Sequence, residues 1–308
     1  MGRWSGKKVA VLLGGRSAER EVSLATGKAC ADALRARGLD VTPVDVGLDL
    51  AERLRAMGAD VAFLALHGRF GEDGCAQGLL ESMGIPYTGS GVLASAMGMD
   101  KVVSKLVFRD AGLALAPYRV FPRARAAAVT VADLPFGLPA VVKPACEGSS
   151  VGVHVVKEPA QLAPALADAA TFKGDVIVEG YVRGQEVNVA VLDGEALGTV
   201  EMVPSREFYD YVAKYTPGST TYHVPARLSP EVTARVSRDA ETAFRALGCE
   251  GAARVDFIVT PDGTPHILEV NTLPGMTGTS LVPKIAAGRG IPFPELCERL
   301  LDGASLKA

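Results

Sequence analysis

One predicted β-hairpin carries side chains that could bind a metal ion. Residues 254–280 read RVDFIVTPDGTPHILEVNTLPGMTGTS, in which apolar alternation flanks the turn signal PDG. With a four-residue loop around this signal, residue 260 pairs with 265, and Asp256 lies opposite Glu269. Directly opposite residues of an antiparallel pair share a face, so the two carboxylates face each other.

The same pairing adds an amide and an arginine to that face. Arg254 falls opposite Asn271, which shares a face with Glu269 because strand side chains repeat every second residue. Opposed carboxylates repel unless a cation lies between them, and three oxygen donors without His or Cys suit Mg²⁺ completed by water and nucleotide phosphates. A solvated polar face is the alternative. The residues predicted to point into the core are Val255, Phe257, Leu268 and Val270.

Composition indicates an ordinary globular protein. The 308 residues are 48% hydrophobic and 22% charged with a net charge of −3, which fits one to three domains and gives no reason to expect nucleic acid or an anionic membrane as a partner. The first apolar run, Val9 to Leu13, is too short for a signal peptide or a membrane span. The five cysteines form no CxxC motif and are predicted to be free thiols in a reducing cytosol.

The first hundred residues predict an open parallel α/β sheet, which binds ligands at the carboxyl ends of its strands. Glu19 and His67 lie just beyond two such ends. Each has a simpler interpretation, since Glu19 could complement a helix dipole and His67 could cap or pack in a loop. The predicted elements are strand Lys8–Leu13, helix Glu19–Arg37, strand Asp40–Val46, helix Leu50–Met57 and strand Val61–Leu66.

Two glycine-containing stretches could bind phosphate. GSGVLA at 89–94 matches a dinucleotide fingerprint only weakly, because Pro86 breaks the preceding strand and the motif lies late in the domain. A strand ending at Lys143 is followed by a small-residue loop, Ala145 to Ser150, and by a strand from Val151. Successive backbone N–H groups there could form an anion-binding concavity, although an ordinary hairpin turn is the alternative.

Other segments predict parts of a ligand site. Glu179 to Val182 could hydrogen-bond a planar base, and Glu186 could reach a ribose, although both glutamates could be edge-strand charges. Pro204 to Pro225 lacks periodicity, contains four of the seven tyrosines, and is predicted to be a lid. A final helix beginning within Gly275 to Leu281 could present backbone N–H groups to an anion.

Seven ordered blocks resemble the D-alanine–D-alanine ligase family of the ATP-grasp superfamily over nearly the whole chain. The resemblance implies an α/β fold, with an N-terminal open parallel α/β domain (1–100) followed by a two-part α+β ATP-grasp fold (101–186 and 187–308). The blocks are GGRSAEREVS (14–23), LHGRFGEDG (66–74), PYTGSGVLASAMGMDK (86–101), VKPACEGSSVGV (142–153), FYDYVAKY (208–215), ARVDF (253–257) and LEVNTLPGMTGTSL (268–281).

The resemblance also implies roles at matching positions. Two Mg²⁺ (or Mn²⁺) ions would bind Asp256, Glu269 and Asn271, and Arg254 with the backbone N–H of Gly275 would stabilise an oxyanion. The ATP-binding set would be Lys101, Lys143, Ser149, Ser150, Glu179, Val182, Glu186 and Lys214. The D-alanine-binding and catalytic set would be Glu19, His67, Ser149, Tyr215, Arg254, Gly275, Ser280 and Leu281.

The implied reaction is ATP-driven amide formation through an acyl phosphate, in a cytoplasmic homodimer that supplies peptidoglycan precursors. A tyrosine at the lid position of Tyr215 goes with the dipeptide product, whereas related depsipeptide ligases depart from it. Another ATP-grasp carboxylate–amine ligase, a non-catalytic nucleotide-binding regulator and a dinucleotide-dependent oxidoreductase are the alternatives. Cys146 lies in the predicted phosphate loop, so its alkylation should slow the enzyme and ATP should protect it.

Overall fold

A parallel three-stranded sheet forms the beginning of the chain in the computed structural model, which describes residues 2–204 and 220–307. The strand order β2-β1-β3 confirms the predicted parallel α/β arrangement, and the third strand ends two residues before its predicted end. The elements are β1 (Lys8–Leu13), α1 (Arg20–Ala36), β2 (Asp40–Asp45), α2 (Leu50–Met57) and β3 (Val61–Leu64). Strand β1 reads as one apolar run because helices cover both of its faces.

Three helices connect this sheet to the rest of the chain: α3 (Cys75–Met83), α4 (Val92–Met99) and α5 (Lys101–Asp110). The GSGVLA motif lies at the start of α4, after the single bridge residue Tyr87 and not after a strand, so it lacks the context of a dinucleotide site. Asp100 caps α5 by accepting hydrogen bonds from the N–H groups of Val102 and Val103.

A four-stranded antiparallel sheet follows, with strand order β4-β7-β5-β6. Its strands are β4 (Tyr118–Phe121), β5 (Ala140–Pro144), β6 (His154–Val156) and β7 (Val176–Gly180), and α6 (Leu162–Ala169) packs against it. The loop between β5 and β6, residues 145–153, is called the phosphate loop below. Strand β6 begins three residues after the predicted Val151, because the loop turns through two successive left-handed residues, Ser149 and Ser150.

A five-stranded antiparallel sheet, in the order β10-β9-β8-β11-β12, forms the last part of the chain. Helix α7 packs its apolar stripe on one face, and the opposite face carries the predicted metal ligands. The elements are β8 (Gln185–Leu192), β9 (Glu195–Pro204), β10 (Thr220–His223), α7 (Pro230–Leu247), β11 (Ala252–Val259), β12 (Pro265–Asn271), α8 (Leu281–Gly288) and α9 (Phe293–Asp302). No helix within 2–204 or 220–307 is both long and apolar enough to cross a bilayer.

The hairpin of β11 and β12 has the predicted pairing at its functional end and a different pairing near its turn. Asp256 pairs with Glu269, but Val259 and not residue 260 pairs with Pro265, because a register shift follows Asp256. The assignment of Leu268 to the core was therefore wrong. The bulge places Ile267 in the core at 1% exposure, and Leu268 lines the cleft instead.

Candidate active site

A cleft between the two antiparallel sheets contains two connected chambers. The first chamber extends toward the N-terminal sheet and is lined by Glu19, His67 and Arg254, among others. The second lies between β5, β7 and the five-stranded sheet, and is lined by Lys143, Glu179 and others. The chambers share the side chains of Lys101, Glu147, Glu186, Met202, Asp256 and Glu269.

The predicted metal ligands lie where the chambers meet. Asp256 is directly opposite Glu269, and Arg254 is directly opposite Asn271. Among the described residues, no three His, Cys, Asp or Glu side chains cluster as a metal site, so the candidate set is two carboxylates and an amide. Oxygen donors of this kind suit Mg²⁺ that keeps several waters and binds phosphates, and the donor set therefore fits such an ion.

Two basic side chains contact these carboxylates. The guanidinium of Arg254 donates from two nitrogens to Asp256, at 2.7 and 2.8 Å, and the ammonium of Lys101 lies 3.2 Å from Glu269. Burial lowers the pKa of Lys101, but the carboxylates of Glu269 and Glu179 together raise it above its ordinary value. Both cations therefore stay charged where a phosphate or an oxyanion would need them.

Two lysines contact one buried carboxylate at the base of the second chamber. Lys105 and Lys143 place their ammonium groups 2.6 and 3.0 Å from Glu179, although these contacts lack hydrogen-bond alignment and are ion pairs. Burial alone would raise the pKa of Glu179, but the two ammonium groups lower it to about 2. Burial lowers the pKa of Lys143. Glu179 is therefore an anion that can only accept hydrogen bonds.

Lys105 was missed by the sequence reasoning. It lies one helical turn after Lys101 in α5, and the i, i+4 spacing places both lysines on one face of the helix. That spacing was the available signal, because two lysines on the buried face of a helix need anionic partners. Lys105 is fully buried and also lies 5.3 Å from the ring centre of Tyr118.

The phosphate loop closes over the cleft through contacts with two other segments. The ammonium of Lys101 donates to the carbonyl of Glu147 at 2.7 Å, and the hydroxyl of Ser149 donates to Glu19. Ser149 and Ser150 have φ values of 52° and 58°, which side-chain-bearing residues adopt at an energetic cost. The loop is therefore tied both to α5 and to the residue that precedes α1.

His67 lies in the first chamber and is 5% exposed. Its Nε2 lies 3.0 Å from the hydroxyl of Thr26, and its Nδ1 lies 3.2 Å from the carboxylate of Glu72. Thr26 and Glu72 were not singled out from the sequence, although Glu72 lies inside the LHGRFGEDG block. Both ring nitrogens therefore have partners, which fix the orientation of the ring.

The segment before α8 completes the first chamber. A Cβ built at Gly275 would lie 2.9 Å from the hydroxyl oxygen of Ser280 and 4.0 Å from Cε1 of His67, so glycine allows three segments to approach here. Helix α8 begins at Leu281, as predicted, and Ser280 precedes it as the N-cap. The backbone N–H groups of its first turn have no partner within the helix.

The base-sized part of the second chamber combines polar and apolar groups. Residues 179 and 180 end β7 and residues 181 and 182 follow it, while Glu186 and Met202 lie on the facing strands. Leu268, displaced by the bulge, contributes an apolar wall. Lys214 and Tyr215, which the sequence placed over this cleft, lie outside the described residues.

A pair of antiparallel sheets holding a cleft lined by carboxylates and basic side chains, joined to an open parallel sheet, is the arrangement of the ATP-grasp ligases. Two family models match the chain: "D-ala D-ala ligase N-terminus" over residues 47–90 and "D-ala D-ala ligase C-terminus" over residues 107–302. The chain belongs to the D-alanine–D-alanine ligase family.

Relatives and solved structures agree with this assignment. The chain is 69% identical over all 308 residues of both chains to a D-alanine–D-alanine ligase of Anaeromyxobacter sp. (strain Fw109-5). It is 55% identical to the enzyme of Geotalea uraniireducens (strain Rf4), covering 98% of this chain and 96% of the other. A Bacillus anthracis D-alanine–D-alanine ligase complexed with ATP superposes with a TM-score of 0.85 at 34% sequence identity, covering 96% of this chain and 97% of the other. The VanG D-Ala:D-Ser ligase of Enterococcus faecalis superposes with a TM-score of 0.82 at 31% sequence identity, covering 96% of this chain and 98% of the other.

Proposed function

We propose that this chain joins two D-alanines into D-alanyl-D-alanine at the expense of ATP, for peptidoglycan precursor synthesis. The carboxylate of the first D-alanine attacks the γ-phosphorus of ATP, which gives an acyl phosphate and ADP. The amine of the second D-alanine then attacks the acyl carbon, and phosphate leaves. The observation that carries this proposal is the Lys101–Glu269 and Arg254–Asp256 arrangement at the junction of two chambers.

ATP occupies the second chamber in this proposal. Glu179 accepts a hydrogen bond from the amino group of adenine, the backbone at Val182 brackets the base, and Glu186 binds the ribose. The buried position and low pKa of Glu179 support its role, because an anion that only accepts hydrogen bonds selects a base with an amino donor. The phosphates contact Lys101, Lys143, Ser149 and Ser150, with Lys214 facing the γ-phosphate.

Asp256, Glu269 and Asn271 would hold two Mg²⁺ or Mn²⁺ ions, which would supply positive charge to the phosphate oxygens and to the γ-phosphoryl group as its charge develops. The register of the hairpin supports this assignment, since it sets the two carboxylates opposite each other. Asn271 Oδ1 also accepts a hydrogen bond from the N–H of Leu273 at 2.9 Å, which fixes the orientation of the amide.

Both D-alanines bind in the first chamber. Glu19 binds the ammonium of the first substrate within a hydrogen-bonded cluster that includes Ser149 and Tyr215, and His67 lies near that substrate. The hydrogen bond between Ser149 and Glu19 supports this cluster. Arg254 and the N–H of Gly275 stabilise the oxyanion, a contribution that is typically the largest single one in acyl transfer.

The second D-alanine binds at the start of α8. Ser280 and the N–H of Leu281 take its carboxylate, since the N-terminus of a helix favours an anion. Tyr215, which lies outside the described residues, favours the dipeptide over D-alanyl-D-lactate.

The setting of the enzyme follows the family resemblance. We propose a cytoplasmic homodimer that is divided into 1–100, 101–186 and 187–308 and has small-molecule substrates only. Five free cysteines, three of them buried, support a reducing compartment.

Phosphate release measured with ATP, Mg²⁺ and an amino acid tests the proposal. D-Alanine alone should support release, whereas L-alanine should not, and adding D-lactate or D-serine should leave D-alanyl-D-alanine as the main product by mass spectrometry. Release with L-alanine, or a depsipeptide or D-Ala-D-Ser product in preference to the dipeptide, would assign the chain to another ligase. ATP binding without turnover on any amino acid would favour a regulatory protein.

A further inference from the structure

One buried amide beside the candidate metal ligands has no hydrogen-bond partner among the described residues for either of its polar atoms. Asn188 is 1% exposed, and neither Oδ1 nor Nδ2 forms a hydrogen bond to any described residue. A buried amide left without hydrogen bonds is costly, and the large majority of buried side-chain polar atoms in folded proteins have a partner. The position therefore needs an explanation that the packing of the chain does not provide.

The strand register places this amide in the same row as the candidate metal ligands. Asn188 on β8 is directly opposite Asp256 on β11, which in turn is directly opposite Glu269 on β12. Directly opposite residues of an antiparallel pair have Cβ atoms about 4.5–5.5 Å apart. Asn188 also lines the first chamber together with both carboxylates.

The low preference of asparagine for β-strands argues against a purely structural role for Asn188 in β8. The neighbours of Asn188 in β8 are Val187 and Val189, both fully buried in the core. Asparagine is depleted in strands, and a β-branched residue would fit the middle of a central strand better. Departures from local preference are expected mainly at functional positions.

We propose that Asn188 is a positioning residue for the metal ion bound by Asp256, an inference that rests on the proposed function. Nδ2 donates to a carboxylate oxygen of Asp256, and Oδ1 accepts from a water molecule bound to the ion. A bound ion would orient the Asp256 carboxylate as an acceptor for Nδ2, and a water molecule bound to the ion would supply the donor for Oδ1, so both polar atoms of the amide would gain partners. Groups that hold metal ligands and metal-bound waters in this way tune affinity strongly.

The test compares two variants that remove buried polar groups. Asn188→Leu keeps a similar volume without polar atoms. Thr199→Val is the matched control, because Thr199 is 2% exposed in the adjacent strand and its hydroxyl accepts from the N–H of Ala226 at 3.1 Å. Each variant is measured for its unfolding temperature without ligands, for Mn²⁺ affinity in the presence of ADP by electron paramagnetic resonance, and for ADP affinity without metal.

The two variants should show opposite patterns. Asn188→Leu should unfold at the same or a higher temperature, bind ADP alone normally, and bind Mn²⁺ about 10- to 100-fold more weakly, the usual effect of losing such a partner. Thr199→Val should unfold at a lower temperature with unchanged Mn²⁺ affinity, because it leaves a backbone N–H without its acceptor. An Asn188→Leu variant that binds Mn²⁺ as the parent does would overturn the inference and leave a buried water as the partner of the amide.

A second variant separates hydrogen bonding from packing. Asn188→Asp keeps an acceptor for the metal-bound water and adds negative charge, so Mn²⁺ affinity should be retained or increased. Equal weakening by Asp and by Leu would show that shape alone matters and would also overturn the inference. If the parent binds neither Mn²⁺ nor ADP, the proposed function fails; if the parent binds both and turns over, only the role of Asn188 is at stake.

Discussion

The ammonium group of Lys105 lies 2.6 Å from the carboxylate of Glu179, and both side chains are buried. The ammonium group of Lys143 lies 3.0 Å from the same carboxylate oxygen, so Glu179 is held as an anion in a place that would otherwise favour its neutral form. This arrangement links α5 to β7 across the base of the second chamber. Because Lys105 lies on α5, the charged state of Glu179 depends on this helix as well as on the strands that line the second chamber.

Removing the charge of Lys105 should weaken selection for adenine. Lys105→Met keeps the length of the side chain but leaves Glu179 with one ammonium partner, so its pKa should rise and its preference for an amino donor should fall. We expect ATP affinity to decrease about tenfold, equivalent to about 1.4 kcal/mol, and the ATP-to-GTP ratio of kcat/KM to decrease as well. Isothermal titration and phosphate release measure the two effects.

The control for this variant is Lys7→Met, because Lys7 forms an exposed ion pair with Asp60. Such pairs contribute little, so its ATP affinity should match that of the parent. If Lys105→Met behaved like Lys7→Met, Glu179 would not depend on Lys105.

The bulge in β12 predicts different effects for two adjacent residues. Ile267→Ala should destabilise the fold by about 2–5 kcal/mol, because Ile267 is in the core. Leu268→Ala should change stability less but weaken ATP binding about tenfold, since Leu268 lines the second chamber. Urea unfolding and ATP titration of both variants measure this. The reverse pattern would show that the unshifted pairing is present in solution.

Arg254 should be needed for the chemical step as well as for holding Asp256. Arg254→Ala should reduce kcat by about 10²–10³, the scale of losing an oxyanion donor. Arg254→Lys should recover little, because an ammonium cannot reproduce the two hydrogen bonds of the guanidinium to Asp256. Steady-state kinetics measures kcat for these variants beside Arg55→Ala, which changes an exposed arginine and serves as the control. If Arg254→Ala had a kcat near that of the control, Arg254 would not stabilise the oxyanion.

Cys146 should react slowly at neutral pH. Burial, followed by the nearby carboxylate of Asp100, raises the pKa of its thiol to about 11. Only the thiolate reacts, so the alkylation rate should rise about tenfold per pH unit from 7 to 9.5. The thiol donates to Asp100, the cap of α5, so alkylation should disturb Lys101 and slow turnover.

Mass spectrometry in a Cys75→Ser background, which removes an exposed competing thiol, measures the modification. Cys146 lines neither chamber, so protection by Mg-ATP would act through the phosphate loop. Equal modification with and without Mg-ATP, or a rate independent of pH, would contradict this account. Cys146→Ala should be insensitive to the reagent.

The sequence was most informative where a pattern repeats at a fixed period. The alternation around PDG predicted the pairs of Asp256 with Glu269 and of Arg254 with Asn271, and these pairs form because the bulge offsets a pairing next to the turn that differs from the prediction by one residue. The bulge after Asp256 could not be found in this way. Its extra residue replaces one apolar side chain by another in the core, so Ile267 and Leu268 fit the pattern equally well.

Contacts between distant segments were beyond the reach of pattern reasoning. Glu179 meets Lys105 and Lys143 only because α5, β5 and β7 converge, and no spacing in the sequence encodes that meeting. The sequence alone assigned no role to Asn188, although asparagine is depleted in strands. Its meaning comes from the register of β8 against β11 and from the absence of a hydrogen-bond partner among the described residues.

The most direct test of the account is Mg²⁺-dependent phosphate release by Glu269→Ala, measured with ATP and D-alanine beside the exposed control Glu52→Ala. We predict that turnover by Glu269→Ala falls to background, because the carboxylate of Glu269 faces Asp256 at the proposed metal site, while metal-free ATP binding persists through Lys101 and Lys143. Near-normal turnover by Glu269→Ala would contradict the claim that this hairpin holds the ions that couple ATP to peptide bond formation.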